Sequence, residues 1–168
     1  MGKKHDTIKY ILIKNILLKF TSFIIGLLGG IISFMLVVLI ESALASFYPN
    51  FLFKNNPYYL LILVIPSLVE EATKISIARR LMDNFKPFQI LLGVGLGFGA
   101  MEAIVALSQI SWLVFSHLLT WIHLIFLGTG YLIARFYDNS KHTNFFIWLT
   151  ASFFLHWLYD ILVYVFTK

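Results

Sequence analysis

The stretch Tyr58–Ala78, YYLLILVIPSLVEEATKISIA, decides the fold. It has the roughly 20 residues that a helix needs to cross a bilayer, yet Glu70, Glu71 and Lys74 stand within it. On insertion scales a charge at that depth costs about 2.5–3.5 kcal/mol. Such a segment is tolerable only if its polar face meets protein or a wet cavity. Other membrane segments must therefore surround it.

Those segments are present. Ile24–Leu44 is a first apolar run, Tyr58–Ala78 the second, Phe88–Leu107 a third, Trp112–Ala134 a fourth and Phe145–Phe166 a fifth. Turn-forming residues separate them: Tyr48-Pro49-Asn50, Asn55-Asn56-Pro57, Asp83-Asn84-Phe85-Lys86-Pro87 and Asp138-Asn139-Ser140-Lys141. Ser108–Ser111 reads as a tight turn joining the third and fourth runs in a hairpin. Composition agrees. The 168 residues are 60% hydrophobic and 12% charged, with a mean hydropathy of +0.85. A soluble domain carries about 25% charged residues. The expected fold is all-α, a polytopic transmembrane bundle of about five spans over residues 21–168. The Lys-rich residues 1–20 are expected to form a basic, amphipathic interfacial segment.

Charge placement gives a topology. Lys3, Lys4, Lys9, Lys14, Lys19, Arg79, Arg80, Lys86, Arg135 and Lys141 fall on one side of a five-span arrangement, and only Lys54 and Lys168 on the other. The positive-inside rule then places the N-terminus in the cytoplasm. The net charge of +5 arises from these flanking residues, so it is no nucleic-acid footprint. A basic start, an apolar run and Ala43-Leu44-Ala45 also imitate a cleavable signal peptide, but the run has spanning length. The absence of cysteine excludes disulfides, thiolate metal sites and cysteine nucleophiles.

Glu70, Glu71, Glu102 and Asp160 all lie inside apolar runs, as do His123 and His156. Counted along their spans at about 1.5 Å per residue, they share the middle to outer half of the membrane. One polar site is expected to gather them. Glu70 and Lys74 are four residues apart, as are His156 and Asp160, so each pair shares a helix face. Pro66 leaves the Ile62 carbonyl without a donor and should bend the second span beside the glutamates. Three carboxylates at low dielectric will not all ionise. One holding a proton while another activates water is what acid–base hydrolysis requires. In Gly93-Val94-Gly95-Leu96-Gly97-Phe98-Gly99 the alternate glycines suggest close helix packing, expected against the second span. Tyr58, Tyr59, Trp112 and Trp148 read as aromatic belts.

Three motifs carry a resemblance. Glu70-Glu71-Ala72-Thr73-Lys74 fits EExxK, Phe98-Gly99-Ala100-Met101-Glu102 fits FxxxE, and His156-Trp157-Leu158-Tyr159-Asp160 fits HxxxD. In this order, within separate spans, they resemble the PrsW family of intramembrane proteases over roughly residues 60–168. The related CAAX and Abi group has EExxxR and FxxxH, where this chain has Lys74 and Glu102. The chain is also shorter than most PrsW proteins. The resemblance implies an intramembrane endopeptidase cutting a membrane-anchored protein substrate by glutamate-activated water, and the Ile-, Phe-, Lys- and Asn-rich composition suggests a prokaryotic cell membrane.

On that reading Glu71 is the general base, with Glu70 its partner and Glu102 a second carboxylate. His123 and His156 stabilise the oxyanion or move a proton, and Asp160 orients His156. Lys74 and Phe98 support them. Asp160 also reads as a solvated acid near the outer interface. Zinc is a candidate cofactor, with Glu71, Glu102, His123 and His156 as ligands, although HExxH is lacking. The alternative function is a non-catalytic membrane scaffold or immunity protein that retains the polar site. A proton-coupled carrier would also bury acids and histidines, but no internal duplication supports one.

Overall fold

The computed structural model describes residues 2–47, 62–83, 86–109, 113–138 and 144–166. The side chains of 2–12, 14, 15, 18, 19, 106–109, 113–120, 164 and 166 lie outside this description. Five helices follow one another: α1 (Gly2–Phe47), α2 (Val64–Met82), α3 (Pro87–Gln109), α4 (Leu113–Tyr137) and α5 (Phe145–Phe166). The fold is all-α.

The helix starts follow local chemistry. Pro87 opens α3, where a missing N–H costs nothing. Asn144 caps α5, its Oδ1 accepting from the backbone N–H of Phe146 at 3.0 Å and of Ile147 at 3.4 Å. Helical hydrogen bonding breaks at Leu63, three residues before Pro66, although Leu63 keeps right-handed angles (φ −61°, ψ −15°). That is the interruption expected of a proline with no hydrogen to give the Ile62 carbonyl. In contrast, α1 runs without a break through residue 20, where the basic segment was expected to give way to the span.

Over the described residues, three stretches are long and apolar enough to cross a membrane: Phe20–Phe47, Pro87–Val105 and Phe145–Val163. Five spans were expected. The charges of Glu70, Glu71, Lys74, Arg79 and Arg80 set α2 apart, and the side chains of α4 are described only from Trp121 onward. Leu28, Ile32, Met35 and Leu39 on α1, with Phe154, Leu158 and Val165 on α5, present apolar side chains outward.

Helix α1 lies mainly on α3, α3 on α4 and α4 on α5, while α2 packs against α1, α3 and α5 and touches α4. Glycines set the closest approaches. A Cβ on Gly26 would lie 2.7 Å from the Val94 carbonyl oxygen, and one on Gly97 would meet the Phe23 carbonyl. A Cβ on Gly95 would lie 2.8 Å from the Leu124 Cα. The glycine run thus serves α1 and α4, not α2 as expected. Residues two apart point to nearly opposite sides of a helix, so Gly93 and Gly97 face one neighbour and Gly95 the other.

The core gathers Ile75, Ala78, Ile90, Val94, Phe98, Leu127, Ala134 and Trp148. Trp148 is a correction. Read as an edge aromatic, it is fully buried, and its Nε1–H donates to the Leu127 carbonyl at 3.0 Å. Burial is tolerable because that one polar atom finds an acceptor. Tyr58, Tyr59 and Trp112 lie outside the described residues.

Candidate functional site

Ser67, Glu71, Lys74, Ile75 and Ala78 form the buried face of α2. Their spacing of three and four places them on one stripe. Glu71 and Lys74 are fully buried, and the Lys74 Nζ lies 2.6 Å from Glu71 Oε1. The same ammonium lies 3.6 Å from Glu70 Oε2 and donates to His123 Nδ1 at 2.5 Å. The Phe98 ring of α3 lies beside it, 5.4 Å from ring centre to Nζ. This is a cation–π arrangement in a desolvated place.

The histidines extend the network. With Nδ1 accepting from lysine, His123 carries its hydrogen on Nε2, which donates to Glu102 Oε2. His156 Nδ1 lies 2.9 Å from Glu71 Oε1 and donates to it. Phe126, one turn after His123, stacks on the His156 ring at 5.1 Å. The two imidazoles meet edge to face at 5.3 Å. Each ring is therefore fixed by a hydrogen bond and by an aromatic neighbour.

One expected pairing is looser than its spacing implied. His156 Nε2 and Asp160 Oδ1 are 3.7 Å apart, beyond hydrogen-bond length. Asp160 turns instead to Ser67, whose Oγ lies 2.6 Å from its Oδ2 and 2.7 Å from the Leu63 carbonyl. The single hydroxyl hydrogen serves both acceptors. The Leu63 carbonyl sits at the proline-induced interruption, so the helix break and the acid share one donor.

All eight residues singled out from the sequence meet here: Glu70, Glu71, Lys74, Phe98, Glu102, His123, His156 and Asp160. They fall into an inside and an edge. Glu71, Lys74, His123 and His156 are essentially closed off, whereas the side chains of Glu70 and Asp160 are 22% exposed and that of Glu102 is 36% exposed. Glu71 itself is divided. Its Oε1 holds Lys74 and His156, while Oε2 is buried with no hydrogen-bond partner among the described residues.

Sequence reasoning missed Ser67 and Phe126. Ser67 was legible in principle, four residues before Glu71 and seven before Lys74 on the same stripe. Phe126 carries no such signal, because an apolar residue in an apolar helix looks like every other.

The ligand set for a metal also shifts. The sequence suggested Glu71, Glu102, His123 and His156. The atoms that converge belong to Glu70, His123 and His156, and lie within 4.8 Å of one another. Glu71 Oε1 is committed to Lys74 and His156, and Glu102 sits behind the His123 ring. The hydrogen bond His123 donates to Glu102 would orient the ring as a metal ligand, but its Nδ1 already faces an ammonium. With Lys74 in place, these residues do not fit a bound metal.

No family model, no curated protein and no solved structure matches the chain.

Proposed function

We propose that this chain is a polytopic membrane protein with a cytoplasmic N-terminus that acts as an intramembrane endopeptidase of the PrsW kind on membrane-anchored proteins. The observation that carries the reading is the divided carboxylate of Glu71, with one oxygen pinned by Lys74 and His156 and the other buried without a hydrogen-bond partner among the described residues. A general base needs that arrangement: a fixed orientation and an open lone pair toward the proton it takes.

In this mechanism Glu71 Oε2 accepts a proton from water, and the water oxygen attacks the carbonyl carbon of the scissile peptide. The C–N bond then breaks, and the leaving nitrogen receives a proton from the cluster. Glu71 returns the proton it took, while Glu102, hydrogen-bonded to His123 at the edge of the cluster, holds that ring in place. Proton transfer of this type contributes about 10²–10⁴-fold.

A second reading has its own support. The Lys74 ammonium, both His123 ring nitrogens, Glu71 Oε1, Glu102 Oε2 and His156 Nδ1 are paired within the protein. Such a network would also pin α2, α4 and α5 together in a scaffold without catalysis. Comparing new protein N-termini in membranes expressing wild type or Glu71→Gln separates the two. The protease reading expects a set of termini seen only with wild type, reduced at least about 100-fold in the variant. Identical termini at equal amounts of folded protein would leave the scaffold.

A further inference from the structure

Among the described residues, one of the two fully enclosed charges is a lysine. Lys74 has no exposed surface, and its ammonium lies among His123 Nδ1 at 2.5 Å, Glu71 Oε1 at 2.6 Å and Glu70 Oε2 at 3.6 Å. Two of those residues, Glu70 and His123, belong with His156 to the convergent donor set. A zinc ion would require a neutral imidazole and a carboxylate at about 2.0–2.2 Å. One Nδ1 lone pair cannot serve an ammonium and a metal together. A divalent ion inside the same donor set would also lie a few ångströms from the ammonium, where like charges repel strongly at low dielectric. The Phe98 ring offers its face to an ammonium at 5.4 Å, a partner suited to an organic cation.

We propose that the Lys74 ammonium is the resident cation of this site, holding the position a divalent metal would need between Glu70, His123 and His156. Lys74 is thus a positioning residue. It keeps Glu71 Oε1 and the His123 ring in place, does so without metal, and masks a three-donor metal site that opens only when its charge is removed. The catalytic consequence, metal-independent hydrolysis, rests on the endopeptidase reading. Occupancy by metal does not.

The experiment measures cobalt(II) bound per chain after gel filtration of the full-length protein in detergent, without substrate. Wild type and Lys74→Arg, which keeps a cation, are expected to retain only traces. Lys74→Met is expected to retain one equivalent, with the visible absorption of a tetrahedral site, and to lose it when His123→Ala is added. Lys74→Gln replaces Lys74→Met if the latter does not fold. One equivalent bound by wild type and lost in His123→Ala would overturn the proposal. So would a folded Lys74→Met or Lys74→Gln that binds none. Because no substrate is present, failure here is distinct from failure to find new termini, which bears on the endopeptidase reading alone.

Discussion

Helices α1 and α2 divide the labour of this fold in a way opposite to a water-soluble protein. The most apolar 18 residues within Phe20–Phe47 of α1 have a mean hydropathy of 2.9, yet only 28% of them are buried. Helix α2 carries Glu70, Glu71, Lys74, Arg79 and Arg80, yet contacts all four other helices and encloses Ser67, Glu71 and Lys74 completely. In water the apolar helix would take the interior. Here the polar helix does, because its groups can be satisfied only by one another while apolar side chains are at ease outside. What holds the two helices in the bundle differs accordingly. Charge pairing and hydrogen bonds hold α2, and backbone approach over glycine holds α1.

That contrast can be broken at three points. Lys74→Met leaves Glu71 buried without its main partner, and losing one member of a buried pair costs about 3–5 kcal/mol. Thermal unfolding in detergent should register this as the largest loss of the three, and a change near zero would mean that the network does not hold α2. Gly97→Ala acts on α1, since the new methyl meets the Phe23 carbonyl and the Leu27 nitrogen, backbone atoms that cannot turn aside. Overpacking of this kind costs about 1–3 kcal/mol, readable by the same unfolding assay. Leu28→Ala touches the outward face of α1, where Leu28 is half exposed. A shift within about 0.5 kcal/mol is expected. A much larger loss would show that another protein surface covers that face.

The sequence showed more of the site than of the packing. The apolar runs anticipate α3, α4 and α5 to within about three residues at each end, because helix length in an apolar segment is set by where charge and turn residues begin. Glu102, His123, His156 and Asp160 could be grouped with Glu70 and Glu71 because a polar group in an apolar run has nowhere else to go. What periodicity cannot supply is the neighbour. It places His156 and Asp160 on one face, but not that Ser67 would take the acid and Glu71 the imidazole. It reveals the small faces of α3 without saying that α1 and α4 would fill them. Nor could it separate the two oxygens of Glu71, a difference that exists only once Lys74 and His156 both take Oε1.

The unbroken course of α1 has a mechanical consequence. Its 46 residues make a rod of roughly 69 Å at about 1.5 Å per residue, more than twice the roughly 30 Å hydrocarbon thickness. Such a rod has no joint before its glycine contact with α3, where Gly26 lies against Val94. A tilt imposed on the basic end therefore arrives at that contact as leverage. From there it passes to α3, the helix that carries Phe98 and Glu102.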